Sequence, residues 1–204
     1  MSEKEYIKNP EVKEKYSGSY GIVIKPDMYT GEKSIELAHS LTPDAEYKVS
    51  LPHITLYHGN VSDLPHQEIE EILNAAREIL KDDIQELRTI DVFGGKFVFW
   101  DVVPNKIMRQ AHDTALGLSK FLDETKLARA LQEGLHLTQE QKLNMQNYGH
   151  PLVGNLYRPH ITLAYDAKGI VLPKDVTGYD WQMKGDSIHF AEIGNYGSVA
   201  KVIL

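Results

Sequence analysis

Apolar residues along this chain fall into short alternating runs and longer stretches of helical spacing, with glycine or proline between most of them. Gly21 to Ile24 reads as a strand ended by Pro26 and Asp27. From Gly31 to Leu41, the apolar positions Ile35, Leu37, Ala38 and Leu41 have helical spacing. Tyr47 to Tyr57 reads as a strand closed by Gly59. Pro65 to Lys81 carries the clearest amphipathic stripe, through Ile69, Ile72, Leu73, Ala76, Ile79 and Leu80, and acidic residues crowd its first turn. Ile84 to Val92 and Lys96 to Val103 flank Gly94-Gly95, which has the composition of a hairpin turn.

The second half repeats this order. Asn105 to Leu122 is expected to be a helix with Asn105 as its N-cap. Thr125 to Asn147 reads as further helix and loop with no counterpart in the first half, so residues 125–147 are taken as an insertion. Leu156 to Tyr165 is a second strand, and Ser187 to Ile193 with Ser198 to Leu204 form a closing hairpin through Gly194, Asn195 and Gly197. Glu3 to Tyr16 is expected to be a short charged helix or ordered extension. No low-complexity linker divides the chain, so residues 1–204 are read as one α+β domain of two pseudo-equivalent lobes with largely antiparallel sheets.

Inside the two halves one word occurs twice. Pro52-His53-Ile54-Thr55-Leu56 recurs as Pro159-His160-Ile161-Thr162-Leu163, with the histidines 107 residues apart. The repeat points to internal duplication. Each copy sits in a predicted strand, where residues two apart share a face, so each His points the same way as its Thr. Two imidazoles and two hydroxyls on similar strands suit metal-free phosphate chemistry.

Composition narrows the field. The 204 residues are 42% hydrophobic and 25% charged, enough for one sizeable core. Zero cysteines exclude disulfides, cysteine-ligated metals and a cysteine nucleophile. A net charge of −7 argues against a surface built to grip a long polynucleotide and favours a small nucleotide or short oligonucleotide. The first 16 residues are charged and no apolar run approaches a membrane span, so no signal peptide or membrane partner is expected and the cytoplasm is the expected address. A monomer without cofactor is expected.

The two His-x-Thr motifs, each preceded by Pro and followed by Leu, resemble those of the 2H phosphoesterase superfamily, which includes the 2′-5′ RNA ligase-like proteins and cyclic phosphodiesterases. The resemblance covers most of the chain, including the early strand Gly21 to Ile24, the aromatic strand Phe97-Val98-Phe99-Trp100 before a helix, and the C-terminal strand pair. The chain departs from the family at 125–147 and at its N-terminal extension, where substrate loops vary. The resemblance implies a bilobal fold with helices outside and a central cleft, across which the two His-x-Thr pairs face each other, with no metal. His53, Thr55, His160 and Thr162 are then the catalytic set. One histidine acts as base and the other as acid, while the hydroxyls hold non-bridging phosphate oxygens. Which histidine plays which part stays open.

Other residues are candidates for substrate contact. Tyr57 follows Thr55 by two and is placed on its face, as a base stack or as a strand-end tyrosine. Arg158 precedes His160 by two and is placed to meet a phosphate. Tyr20, Trp100 and Tyr196 fall near strand ends that border the cleft in similar proteins, and each is a candidate for base stacking, with core packing the alternative for all three and the favoured reading for Trp100. Tyr157 is a rim candidate, and alternation puts Tyr165 on the face opposite His160. His58, His66, His112, His136, His150 and His189 show no metal-binding spacing and are read as surface, capping or rim residues.

The expected activity is phosphodiester cleavage in a 2′,3′-cyclic phosphate, a 2′-5′ oligonucleotide or a cyclic oligonucleotide. RNA end-processing or 2′-5′ ligation, and non-catalytic nucleotide binding, are the alternatives.

Overall fold

The protein is described here by a computed structural model over residues 15–133, 137–174, 176 and 179–204. The expected N-terminal helix lies outside these residues except for Lys15 and Tyr16, which already belong to a strand. The strands are β1 (Lys15–Pro26), β2 (Tyr47–Lys48), β3 (Ile54–Pro65), β4 (Ile84–Phe93), β5 (Phe97–Val102), β6 (His160–Tyr165), β7 (Trp181–Ile193) and β8 (Val199–Val202). The α-helices are α1 (Met28–Leu41), α2 (His66–Leu80), α3 (Lys106–Ala115), α4 (Glu124–Glu133) and α5 (Gln139–Tyr148).

The described strands form one antiparallel sheet in the order β1-β3-β6-β5-β4-β7-β8, with β2 on β6. Two lobes share it. The long strand β7 pairs with β4 from Trp181 to Lys184 and with β1 from Gly185 to Glu192. It changes partner at Gly185, where a Cβ would stand 3.0 Å from the Ile24 side chain. On the other side the lobes meet where β3 and β6 share a single register pair, Ile54 opposite Ile161.

Each predicted motif strand starts later than expected, for one reason. Pro52 and Pro159 lack the N–H that a ladder needs, so β3 begins at Ile54 and β6 at His160. The stretch expected as one strand from Tyr47 is therefore the two-residue β2, a break, and β3, which runs past Gly59 to Pro65. The hairpin between β4 and β5 is as expected: Gly94 and Gly95 have φ of 59° and 74°, the left-handed pair of a type I′ turn.

The helices cover one face. Helix α1 starts earlier than its apolar spacing suggests because Asp27 caps it, accepting from the Thr30 N–H at 3.0 Å. Helix α2 buries Ile69, Leu73 and Ala76, the predicted stripe. Asn105 caps α3 as expected, accepting from the Met108 N–H at 2.6 Å. The expected single helix to Leu122 tightens into a 3₁₀ segment over Leu116–Phe121. Beneath these helices lie Ile22, Ile54, Leu56, Leu87, Trp100, Ile161 and Phe190, all at most 1% exposed. Burying each large side chain contributes about 1.5–3 kcal/mol. The stretch expected as an insertion, 125–147, overlaps α4 and α5, the latter opened by a capping box of Thr138 and Gln141. No helix among the described residues is long and apolar enough to cross a membrane.

Candidate active site

The Ile54–Ile161 pair organises the site. In an antiparallel pair, one step from it in each direction sets His53 across from Thr162 and His160 across from Thr55. The two copies of the repeated word are thus related by a local two-fold through the paired isoleucines. Both isoleucines are fully buried on the helix side, so alternation turns both histidines and both threonines to the other face. Thr55, His160 and Thr162 are partly exposed there, and His53 is 7% exposed.

The two imidazoles are held alike. His53 Nδ1 lies 2.9 Å from the Leu51 carbonyl, and His160 Nδ1 lies 2.7 Å from the Arg158 carbonyl, in each case two residues earlier. A carbonyl only accepts, so hydrogen on Nδ1 satisfies both of these contacts and makes Nε2 the second nitrogen of each ring to be placed. Burial lowers the proton affinity of both rings, taking His160 to about 4. The equivalence ends at Nε2. That of His53 stands 3.1 Å from the Gly197 carbonyl, which opposes the effect of burial by favouring the protonated ring. Phe99 instead stacks on His160, with centroids 3.7 Å apart.

Both motif strands carry a bulge at the residue after the threonine. Against β1, Thr55 faces Val23 and Tyr57 faces Ile22, leaving Leu56 extra. Against β5, Thr162 faces Phe99 and Ala164 faces Val98, leaving Leu163 extra. One extra residue inverts the alternation beyond it. This corrects two expectations. Tyr57 is not on the Thr55 face: it is 2% exposed and its hydroxyl donates to the Tyr148 carbonyl at 2.5 Å. Tyr165 is not opposite His160: it shares the motif face and stacks on Tyr196 at 4.3 Å. The same inversion brings His58, the counterpart of Tyr165, onto the motif face.

Two further stacking candidates lie on the helix side, Trp100 in the core packing favoured for it and Tyr20 against its expected place at the cleft. Trp100 pairs with Ile161 on the core side, is 0% exposed, and packs in the core. Tyr20 falls on the helix side, stacked on Phe190 at 5.1 Å and edge-on to Tyr16 at 5.7 Å. Arg158 is on the motif side, and its Nε and Nη2 donors are taken by carboxylates. Its Nε binds Asp101 at 2.9 Å, and its Nη2 binds Asp101 at 2.5 Å and Asp91 at 2.7 Å. A phosphate would compete with two carboxylates for it. Tyr196 stands beside the first motif, with Tyr47 5.7 Å from it and its hydroxyl donating to Glu46 at 2.6 Å. Its φ of 60° is an unusual conformation for tyrosine.

Three residues of the site escaped sequence reasoning. His112 is fully buried rather than on the surface: its Nδ1–H donates to the Leu56 carbonyl at 2.6 Å and its Nε2 accepts from the Gly154 N–H at 2.9 Å. His58 and His150 touch edge to face, with centroids 4.6 Å apart. Burial first, and then charge on His53, lowers the proton affinity of His58; burial, and then charge on His58, His112 and His160, lowers that of His150. Their approach is long-range, and no spacing in the sequence announces it.

Among the described residues no group of three or more His, Cys, Asp or Glu side chains is arranged to hold a metal ion. A surface pocket of about 430 Å³ bordered by Arg77, Asp83, Asp186 and His189 contains neither motif.

No protein-family model matches the sequence, and no curated protein sequence matches it. Solved structures do match. E. coli LigT complexed with NADP+ superposes with a TM-score of 0.56 at 13% identity, covering 92% of this chain and 95% of that one. E. coli LigT complexed with ATP gives 0.56 at 16% identity, covering 93% and 96%. A protein described as a phosphoesterase gives 0.53 at 15% identity, covering 92% and 98%. The α+β fold expected from the repeated motif is the fold found.

Proposed function

We propose that this chain is a metal-independent phosphodiesterase of the 2H type, acting on small nucleotides through general acid–base catalysis by His53 and His160. The observation that carries the reading is the two-fold register around Ile54 and Ile161, which sets each histidine beside the threonine of the other motif. With both Nδ1 atoms tied to carbonyls, each ring offers one Nε2 to the same phosphorus. One Nε2 takes the proton of the attacking oxygen as the new P–O bond forms. The other gives its proton to the leaving oxygen as the old P–O bond breaks. Thr55 and Thr162 donate to the non-bridging oxygens, where charge builds up.

The position of Gly197 supports a division of roles. Its carbonyl is attracted to His53 Nε2 only when that nitrogen carries hydrogen, so His53 is the acid. His160, pushed down to about 4 by burial, is neutral at pH 7 and serves as the base. The nucleotide class is supported by the fold shared with LigT, which was solved with ATP and with NADP+. A net charge of −7 supports a small substrate over a long RNA.

The test is a product assay in EDTA with 2′,3′-cyclic mononucleotides, 2′-5′ and 3′-5′ oligoadenylates, and cyclic di- and trinucleotides. Cleavage by wild type and none by His53→Ala/His160→Ala is the expected result. Equal cleavage by both proteins overturns the assignment.

A further inference from the structure

We propose that His58 and His150 form a second anion subsite beside the motif histidines, which takes a neighbouring phosphate of the substrate. This inference rests on the phosphodiesterase reading and narrows it. The preferred substrate carries at least two phosphates, as a short linear or cyclic oligonucleotide does, rather than the single phosphate of a 2′,3′-cyclic mononucleotide.

Two separate features of the chain build the pair. The bulge at Leu56 turns His58 onto the motif face, three residues past Thr55. With one residue taken up by the bulge, that is about two strand steps, roughly 7 Å along the strand. His150 follows the helices of the expected insertion. Gly149, at φ 66°, ends α5, and the chain leaving it is fixed by Asn144, whose Nδ2 donates to the Pro151 and Val153 carbonyls at 3.2 and 3.0 Å. Tyr148, the last residue of α5, accepts the Tyr57 hydroxyl from the core of the first motif strand. The inserted helices are thereby anchored to the strand that carries His53, and their exit delivers one imidazole to the site.

The donors suit an anion. The Leu152 N–H donates to His150 Nδ1 at 3.2 Å, so the neutral ring carries its hydrogen on Nε2 and presents it as a donor. Edge-to-face contact with His58 leaves ring edges, not a broad flat face, for the ligand. Among the described residues no carboxylate pairs with either ring, whereas His66 meets Glu70 at 3.4 Å. Burial pushes His58 to about 4 and His150 to about 3, so the empty subsite is uncharged at pH 7. An arriving phosphate favours protonation of both. The other end of the motif face carries Tyr165 in the position equivalent to His58, packed with Tyr47 and Tyr196, which gives the substrate a direction.

The test compares 2′-5′ diadenylate with the same molecule phosphorylated at its 5′ or its 3′ end. Wild type is expected to show kcat/KM at least tenfold higher for one phosphorylated form. His58→Gln/His150→Gln is expected to remove that preference, mainly through KM, while thermal melting confirms that it is folded. Equal losses on all three substrates, or no preference in wild type, overturn the subsite. If wild type cleaves none of them, the phosphodiesterase reading is judged separately by the EDTA assay, and calorimetry decides the subsite. Adenosine 3′,5′-bisphosphate should bind wild type at least tenfold more tightly than the double variant, with AMP affected less. Equal binding of the bisphosphate by the two proteins rejects it.

Discussion

His112 lies flat against Tyr157, with ring centroids 3.8 Å apart and an interplanar angle of 3°, and the two rings donate to consecutive carbonyls of the first motif strand. Tyr157 reaches the Thr55 carbonyl at 3.1 Å and His112 the Leu56 carbonyl at 2.6 Å. Just beyond Ile54, β6 offers β3 no further register pair among the described residues, and these side chains supply the bonds that a neighbouring strand would have made. They hold the bulge that orients Thr55 and His58.

Tyr157→Phe removes one of those bonds and keeps the stack. The expected cost is about 1 kcal/mol of stability, with kcat lowered several-fold because Thr55 loses its support. His112→Ala removes two bonds and opens a cavity, at an expected cost of about 2–4 kcal/mol. Urea melts and steady-state rates check both. A Tyr157→Phe protein with wild-type kcat would show that the stack alone holds the strand.

The local two-fold makes its own prediction. Thr55 and Thr162 occupy equivalent positions across the Ile54–Ile161 pair, so Thr55→Val and Thr162→Val should cost similar factors in kcat. Each removes one donor to the phosphate, and a loss of about 10²-fold is expected by analogy with a lost oxyanion donor. Valine keeps the shape and β preference, so folding is preserved. A difference between the two of more than tenfold would mean that the hydroxyls do not share the phosphate.

Much of this was legible in the sequence, and the rest failed for identifiable reasons. The repeated word, the α2 stripe, the Gly94-Gly95 turn and the Asn105 cap are local signals, and each was readable. The face of Tyr57 and Tyr165 was not, because strict alternation assumes no bulge. The trace a bulge leaves is slight: two successive apolar residues, Leu56-Tyr57 and Leu163-Ala164, where one should face outward. Trp100 reads the same in a core strand as at a cleft edge, and its position across from Ile161 decides it. His112 and His150 are brought in from 56 and 92 residues beyond Leu56 and His58 by packing that no short pattern encodes.

The buried histidines make the fold sensitive to acid. His53, His58, His112, His150 and His160 all have proton affinities lowered mainly by burial. Below about pH 6.5 the unfolded chain binds protons that the folded one refuses, so stability is full above that pH and is lost as pH falls toward the folded values. Melting temperature should drop between pH 6.5 and 5, above the range where most carboxylates titrate, and drop less in His150→Gln. A constant melting temperature over that interval would contradict neutral burial of these rings.

Catalysis should follow a different pH window from the same groups. On the proposed roles, the active free enzyme carries one proton on the pair, on His53, while His160 is neutral. Burial sets His160 at about 4 and lowers His53 from its ordinary 6.5. Below His160's value the base is lost. Above His53's value the acid is lost, so log kcat/KM should fall by about one unit per pH unit above pH 6.5. The profile from pH 4 to 9 is therefore expected to peak on the acid side of neutrality. A plateau from pH 6.5 to 8.5 would mean that the leaving oxygen takes its proton from elsewhere. Ser198→Pro offers a check on the cause. It removes the Ser198 N–H that donates to the Asn195 carbonyl at 3.0 Å and loosens the turn carrying Gly197. The alkaline limb should then move to lower pH, because the carbonyl that favours protonated His53 is less firmly held.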